Sequence, residues 1–209
     1  MQTAAKPRKT PRQARSQVTV EAILETTARV LGQRGYAGTN TNRVAELAGV
    51  SVGSIYQYFP NKTALVAALH ERHVRQLNEE IERGLAASRE TGLAGQVRAL
   101  VGALVAAHRL EPELHRVLER EFPFLELPYA ESEASQAMHA RICALLAAHR
   151  DEVAVADLEL AGHMVLNMIE SLVHAAVLEP PPGIAPARLE GAIADALLGY
   201  LSYRPAGAA

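Results

Sequence analysis

The sequence predicts an all-α fold of about nine helices, in which a small three-helix domain precedes a larger helical bundle. Alanine and leucine dominate the chain, and apolar residues recur at the three- and four-residue spacing of amphipathic helices. The alternation of β-branched and polar residues that is typical of strands is absent. Glycine and proline recur between the apolar stretches, at positions where they end one helix and precede the next.

The first helix follows a basic arm. Residues 1–16 carry five basic residues, no acidic residue and two prolines, which predicts a mobile segment. From Val20 onward the apolar positions form the stripe of an amphipathic helix. This helix is expected to end near Arg34, because Gly35 is suited to the position that follows a helix.

The next three helices have recognisable ends. Asn40, Ser51 and Asn61 are residue types that cap helix N-termini through their side-chain oxygens. Gly49 and Pro60 end the first two of these helices. The predicted helices run from about Thr41 to Ala48, from Ser51 to Tyr58, and from Asn61 to about Ala87.

The rest of the chain reads as helices separated by glycine, proline or polar breaks. The helices are predicted near residues 93–108, 112–121, 129–149, 157–178 and 186–203. The breaks between them lie at residues 91–92, 111–112, 123–128, 150–151 and 180–183. The residues from Arg204 onward are expected to fray.

The composition excludes several classes of protein. With 49% hydrophobic residues in 209, the chain is too apolar to be disordered and can bury a sizeable core. Cys143 is the only cysteine, which excludes an intramolecular disulfide and suits a reducing cytoplasm. The longest apolar run, nine residues at 99–107, falls short of the ~18 residues that a membrane span needs. No apolar signal segment follows the basic arm, so we expect a cytoplasmic protein without a membrane partner.

The net charge of −2 hides an uneven distribution. Residues 1–62 carry nine basic and three acidic residues, a balance of +6, whereas the remainder carries 12 basic and 20 acidic residues, a balance of −8. A basic N-terminal third on an acidic body indicates one part that faces a polyanion and another that does not.

Residues 41–59 carry a helix-turn-helix pattern. The turn at residues 48–51 contains Gly49, as the sharp bend of this motif requires. Five apolar residues are spaced to pack the two helices on each other and on the first helix: Val44, Leu47, Val50, Ile55 and Phe59. The remaining positions are short, polar or aromatic with a hydroxyl, which suits a helix in the major groove of DNA. They are Asn42, Arg43, Val52, Gly53, Ser54, Tyr56, Gln57 and Tyr58.

Two residues are unfavourable for a helix but favourable beside DNA. Gly53 lies in the first turn of a short helix, where it costs about 1 kcal/mol relative to alanine. A residue without a side chain there permits close approach to a phosphate or a base edge. Lys62 lies at a helix N-terminus, where the dipole disfavours a cation unless a phosphate binds at the same place.

These features belong to a longer pattern of about 45 residues. It consists of Ile23, Leu24, Gly35, Tyr36, Thr39, Val44, Ala45, Ala48, Gly49, Val50, Ser51, Gly53, Ile55, Tyr56, Tyr58, Phe59, Lys62 and Leu65. The stretch from Leu24 through Leu65 resembles the DNA-binding signature of the tetracycline-repressor (TetR) family of bacterial transcription regulators. The resemblance implies domains at residues 17–62 for DNA binding and 63–209 for ligand binding and dimerisation.

The resemblance also implies roles for single residues. Tyr56 and Tyr58 match positions of the recognition helix that contact phosphates and bases, and Lys62 matches a phosphate-binding lysine. Gly53 and Ser54 match positions close to base edges. The full set expected to contact DNA is Thr39, Asn40, Thr41, Arg43, Ser51, Val52, Gly53, Ser54, Tyr56, Gln57, Tyr58 and Lys62.

Two positions depart from the family pattern. Many members have two threonines where this chain has Thr39 and Asn40, but the Asn40 side chain can still cap the helix and donate to a phosphate. Gln57 replaces a residue that is often aromatic, and its amide suits the recognition of adenine.

Core packing is the alternative for some of these residues. Phe59 is expected in the core, and core packing is also the alternative role for Tyr56 and Tyr58. Arg29 and Arg34 are expected on solvated faces. The basic arm serves either solubility or additional contacts with phosphates and the minor groove.

Residues 49–53 also match the G-x-S-x-G nucleophile elbow of serine hydrolases. That elbow needs a strand before Ser51, whereas the sequence predicts a helix there, so Ser51 is better explained as a helix cap. The chain is therefore not expected to be an enzyme.

The helical body carries the expected effector pocket and dimer interface. The last two helices match the dimerisation helices that the resemblance implies, with an interface at Val165, Ile169, Leu172, Val173, Leu189, Ile193, Leu197 and Tyr200. The expected pocket is lined by Leu104, His108, Phe122, Phe124, Met138, Ile142, His163, Met164, Asn167 and Met168. Aliphatic and methionine-rich walls favour a small apolar or amphipathic effector.

No metal or cofactor is expected. His70 and His73 form a possible metal pair on the fourth helix, but no third ligand lies at a useful spacing, and a solvated face explains them better. His163 and His174 lie on one helix about 16 Å apart, too far to share a metal.

The expected function is that of a ligand-responsive transcriptional regulator. A homodimeric repressor would bind a palindromic operator in double-stranded DNA and be released by its effector. Two alternatives are a DNA-binding protein without a ligand response and a serine hydrolase that uses Ser51.

Overall fold

A computed structural model describes residues 14–121 and 133–204. The helices are α1 (Ala14–Gly38), α2 (Thr41–Ala48), α3 (Val52–Tyr58), α4 (Lys62–Ala87), α5 (Gly92–His108), α6 (Pro112–Glu121), α7 (Glu133–Ala148), α8 (Leu158–Leu178) and α9 (Pro186–Ser202). A 3₁₀ turn at Arg150–Glu152 follows α7. Within the described residues all regular secondary structure is helical, which confirms the all-α prediction. The predicted basic arm, the break at residues 123–128 and the start of the helix predicted at 129 lie mostly or wholly outside these residues.

The predicted caps of the N-terminal helices are confirmed. The side chains of Asn40, Ser51 and Asn61 accept hydrogen bonds from backbone N–H groups three residues later, at 2.9, 3.0 and 2.8 Å. Gly49 ends α2 in the left-handed conformation, with φ 66° and ψ 29°. Gly35 interrupts α1 with φ 66° and ψ 178°, so the regular part of this helix ends where the sequence predicts.

The chain divides into two compact units, and the first comprises the residues up to Arg75 together with α6. Its core is formed by α1, α2, α3, the first half of α4 and α6, with fully buried Ile23, Leu31, Val44, Ile55, Leu65, Leu69 and Val117. This unit is larger than the domain predicted for residues 17–62, because α6 packs along α1. Leu47, predicted to pack between α2 and its neighbours, is 39% exposed.

The second unit comprises the rest of α4 from Gln76, α5, α7, α8 and α9. Helix α5 packs against α8 and α9, and α8 also packs against α7. The buried face of each helix contributes to one core, which includes Leu100, Leu146, Ile169, Leu197 and Leu201.

Helix α8 is the one helix in the described part of the chain that is long and apolar enough to cross a membrane by length and composition. Its buried residues, including Val165, Ile169 and Val173, belong to the core of the second unit. A core helix of a helical bundle meets the same criterion, because its inward face is apolar over its whole length.

Candidate nucleic-acid interface

Helix α3 presents a short polar face at the surface of the first unit. Ser51, Gly53, Tyr56 and Gln57 are exposed along this face. Ile55, on the opposite side, is fully buried and attaches the helix to the core. The arrangement is that of a helix whose outer side is free to enter a groove.

Ser51 and Ser54 organise the first turn of α3. The Ser51 side chain accepts from the Ser54 N–H, and the two hydroxyl oxygens lie 2.8 Å apart. A Cβ atom added to Gly53 would have only the Ser51 hydroxyl near it, at 3.7 Å. The space beside this turn is therefore open to a large partner.

Tyr56 is positioned by α2. Its hydroxyl oxygen lies 3.2 Å from the Oγ1 atom of Thr41, at the start of α2, while its side chain is 43% exposed. Thr41 is itself largely buried, so it orients Tyr56 and has little surface of its own to offer DNA.

Besides Thr41, two of the predicted DNA contacts are buried. Thr39 is 1% exposed, and its hydroxyl donates to the carbonyl of Gly35 at 2.8 Å. Tyr58 is 9% exposed and its ring tilts against that of Phe59, with 6.4 Å between the centroids. Tyr58 follows the buried Ile55 by three residues, which places both on one face of α3. The core alternative therefore holds for Tyr58, whereas Tyr56 is on the surface.

Lys62 is held against the last residues of α1, just beyond the kink at Gly35. Its ammonium group donates to the carbonyl of Tyr36 at 2.9 Å and lies 4.0 Å from the centroid of the Tyr36 ring. The Tyr36 hydroxyl lies 3.2 Å from that of Thr63. These contacts keep a cation at the N-terminus of α4 despite the unfavourable helix dipole.

The remaining residues of the expected set are at the surface or close to it. Asn40 is exposed, and Arg43 is paired with Glu46 at 2.8 Å. Val52 is partly buried against the core. Arg29 and Arg34 are exposed, as predicted.

Glu121 is a residue that the sequence does not indicate. Its carboxylate accepts a hydrogen bond from the backbone N–H of Tyr36 at 2.8 Å, across 85 positions of the chain. No local pattern signals such a contact, because it depends on how α6 packs along α1.

The described residues of the expected effector pocket lie in two different environments. Leu104, Ile142, Met138 and Met168 belong to the core of the second unit or pack against it. In contrast, His163, Met164 and Asn167 lie on the exposed face of α8, where the Asn167 amide donates to the carbonyl of His163 at 2.8 Å. Phe122 and Phe124 lie outside the described residues.

His108 and His73 are both buried rather than solvated. The Nδ1 atom of His108 lies 2.7 Å from the carbonyl oxygen of Leu104. His73, expected on a solvated face, is 3% exposed, and its Nε2 atom lies 3.0 Å from Nδ1 of His115 on α6. His73 is therefore buried by the packing of α4 in the first unit, and its predicted exposure is wrong.

The residues expected at the dimer interface are mostly buried within the single chain. Val165, Ile169, Val173, Ile193 and Leu197 are between 0 and 5% exposed within the single chain. Leu189 and Tyr200 are partly buried against the same core, and Leu172 alone of the set is exposed. The strongest apolar stripe of each helix faces the chain's own core.

Ser51 is a helix cap and not the nucleophile of an elbow. Helix α2 precedes it, with no strand in the part of the chain that the structure describes. Its hydroxyl is engaged with the first turn of α3.

Most of the chain matches known protein families. Residues 23–69 match the family described as bacterial regulatory proteins, tetR family, and residues 93–201 match the tetracyclin repressor-like C-terminal domain. The first match covers α2 and α3 with parts of α1 and α4, and the second covers about half of the chain.

Individual relatives match over shorter stretches. The HTH-type transcriptional repressor KstR of Mycolicibacterium smegmatis is 33% identical over 109 residues, which are 50% of this chain and 50% of that protein. The nucleoid occlusion factor SlmA of Haemophilus ducreyi is 33% identical over 86 residues, 41% of this chain and 42% of that protein. The chain thus spans half the length, or less, of these curated relatives.

Solved structures share the fold over most of the chain. The transcriptional regulator FadR from Bacillus subtilis, solved in complex with stearoyl-CoA, superposes with a TM-score of 0.69 at 19% identity. The match covers 86% of this chain and 98% of that one.

Proposed function

Because the chain belongs to the TetR family of bacterial transcription regulators, we propose that it is a repressor that binds a palindromic operator as a homodimer and leaves it when a small effector binds. Residues 17–62 then carry DNA recognition and residues 63–209 carry effector binding and dimerisation. Repression acts on chromosomal DNA in the cytoplasm and requires no chemistry by the protein itself.

The exposed polar face of α3 is the observation that supports DNA binding most directly. Gln57 and Tyr56 offer hydrogen-bonding groups to base edges and phosphates, and Gly53 lets the first turn approach closely. The net charge of +6 over residues 1–62 adds attraction to the phosphate backbone of DNA.

Phosphate binding is assigned to the ends of two helices. Lys62 holds its charge at the N-terminus of α4, and Asn40 exposes an amide at the start of α2. Phosphates favour such positions because the first turn of a helix presents free N–H groups and a positive dipole end.

Dimerisation follows from the geometry of recognition. A single short helix reads few base pairs, whereas a symmetric dimer reads two half-sites about 34–36 Å apart. We assign the interface to the exposed side of α8, where Leu160, Met164 and Leu172 are 53, 39 and 36% exposed. The exposed Ala192 and Ala196 of α9 are small enough to permit close packing of a partner helix.

The effector is assigned to the second unit and to an apolar or amphipathic class. Met138, Met168 and Leu104 supply apolar walls, and His108, which contacts the carbonyl of Leu104, supplies a polar group. FadR of Bacillus subtilis, which shares the fold, is described with a bound long-chain acyl-CoA, so such thioesters are the first compounds to test. An effector releases DNA only to the extent that it binds the DNA-incompetent conformation more tightly.

Operator binding is the test of this proposal. The full-length protein is titrated onto labelled DNA from upstream of its own gene at several salt concentrations. We expect the logarithm of the binding constant to fall with log salt at about −0.9 per contacted phosphate. The Tyr56→Ala, Lys62→Ala double variant should lose specific binding. Retained binding by this variant, or flat salt dependence, overturns the proposal.

The matched control replaces an exposed cation of the second unit that lies outside α8 and α9. Arg89 follows α4, and the Arg89→Ala variant should bind the operator as the wild type does. Addition of long-chain acyl-CoA and of other amphipathic compounds then separates a ligand-responsive repressor from a DNA-binding protein whose affinity no ligand changes.

A further inference from the structure

Three metal-ligating side chains of different chemistry converge between α7 and α8. His139 and Cys143 are four residues apart on α7, and so lie on one face of that helix. Glu159 is the second residue of α8. One ligand atom from each of the three lies within 4.8 Å of the other two.

The distances within this His-Cys-Glu cluster suit a bound ion. The Cys143 sulfur lies 3.6 Å from Nε2 of His139 and 3.8 Å from Oε2 of Glu159. Metal–ligand bonds of about 2.3 Å to sulfur and about 2.0–2.1 Å to nitrogen place the two ligand atoms about 3.6 Å apart in a tetrahedral site. The cluster therefore needs little rearrangement to coordinate a metal.

Gly162 provides the space for this convergence. A Cβ atom at this position would lie 2.4 Å from the Cys143 sulfur and 3.2 Å from Nε2 of His139. With glycine there, the backbone of α8 comes close to α7, and any larger residue would displace both ligands.

The charges of the cluster favour a cation. A thiolate beside a carboxylate is unfavourable unless a positive charge lies between them. The Glu159 side chain is 81% exposed, which leaves a route for an ion from solvent.

We propose that His139, Cys143 and Glu159 bind Zn²⁺ between α7 and α8, with water at the fourth position. Nitrogen, thiolate and carboxylate are the ligands that zinc takes in proteins, and three protein ligands plus water is one of its common arrangements. On binding, a Zn–S bond forms and the thiol proton passes to solvent. The ion joins two helices of the second unit, so it should stabilise that unit.

No metal site is predicted from the sequence, because the proximity of Glu159 to His139 and Cys143 cannot be read from it. Cys143 and Glu159 are separated by the end of α7 and the 3₁₀ turn, and only the packing of α8 on α7 brings them together. This inference is independent of the proposed function, since it concerns ligand chemistry and not DNA.

Metal titration of the full-length protein tests the proposal. After removal of metals with a chelator, Zn²⁺ is added in competition with a chromophoric chelator, and Co²⁺ is added separately as a spectroscopic probe. We expect one equivalent of Zn²⁺ per chain, a rise in melting temperature, and a thiolate-to-cobalt charge-transfer band. Because Cys143 is the only cysteine, this band reports on the cluster alone.

Variants distinguish the cluster from a thiol that binds metal by itself. Cys143→Ser should abolish the charge-transfer band, and His139→Asn and Glu159→Gln should each weaken Zn²⁺ binding by about tenfold or more. His149→Gln, which changes a histidine just after α7, should bind Zn²⁺ as the wild type does. Circular dichroism of each variant checks its fold.

The opposite results overturn the inference. They are an absence of Zn²⁺ binding to the wild type, or wild-type affinity in His139→Asn and Glu159→Gln. If Cys143→Ser fails to fold, the other two variants still decide the question.

Discussion

The carboxylate of Glu121 accepts a hydrogen bond from the backbone N–H of Tyr36, 2.8 Å away. The carbonyl of the same Tyr36 accepts from the ammonium group of Lys62 at 2.9 Å. The backbone N–H and the carbonyl of Tyr36 are thus both bound by side chains, one from α6 and one from α4. The segment that contains Tyr36 leads from the kink at Gly35 to the cap of α2, so the two contacts fix the position at which the helix-turn-helix begins.

Replacing Glu121 should loosen this segment. We expect Glu121→Ala to lower the free energy of unfolding by about 1–3 kcal/mol, because the Tyr36 N–H loses a charged acceptor. Glu121→Gln keeps an acceptor oxygen and should cost less. Urea denaturation measures the effect, and Glu113→Ala on the same helix, which loses an exposed pair with Arg116, is the control. Equal stabilities of Glu121→Ala and Glu113→Ala would show that the contact contributes nothing.

Replacing Gly35 with alanine should destabilise the protein more than replacing Gly49 with alanine. Both have φ 66°, which disfavours a side chain. At Gly35, ψ is 178°, a conformation almost restricted to glycine, and a Cβ would lie 2.6 Å from a carboxylate oxygen of Glu121. At Gly49 no atom lies within 4 Å of such a Cβ. Thermal unfolding should therefore rank wild type above Gly49→Ala and Gly49→Ala above Gly35→Ala, and the reverse order of the variants would contradict the geometry.

Acid should weaken the contact between Glu111 and His73. The two side chains approach to 3.7 Å, and this polar contact lowers the pKa of Glu111 more than partial burial raises it. A carboxyl group whose pKa is lower in the folded state contributes stability above its unfolded pKa and loses it as the pH falls through the folded pKa. Glu111→Gln should therefore reduce stability near neutral pH and make the loss of stability in acid shallower. Denaturation midpoints of both proteins across acidic pH test this, and parallel pH profiles would contradict it.

A charge on the exposed face of α8 should separate the proposed dimer. Met164 is 39% exposed in the single chain, so Met164→Glu leaves the monomer core intact but buries a carboxylate in a dimer. We expect the variant to be monomeric by sedimentation and to bind the operator much more weakly. Leu110→Glu, at a residue that is 55% exposed and not part of α8, is the control and should stay dimeric. A dimeric Met164→Glu protein would place the interface elsewhere.

Local signals were sufficient for the helices and their ends. Asn40, Ser51 and Gly49 act within three or four residues of themselves, so their capping roles could be read from the chain and are confirmed. The family signature likewise depends on residues 24–65 in sequence order. The fold class and the membership of the TetR family were therefore predictable.

The residues that a given side chain contacts could not be predicted in the same way. The apolar stripe of α8 indicated a buried face, but not that Val165 and Ile169 face the chain's own core while Met164 remains outside. A periodic pattern reports that a face is apolar and is silent about what covers it. Tyr58 illustrates the same limit, because a tyrosine suits both a core and a DNA contact.

Residues close together in the chain account for the helices, their caps, the exposed polar face of α3 and the uneven charge, so these features were predictable. Tertiary packing accounts for the contact of Glu121 with Tyr36, the burial of Thr39 and Tyr58, and the convergence of His139 with Cys143 and Glu159. Each of these depends on which helices pack together, and that is a property of the whole core and of no single segment.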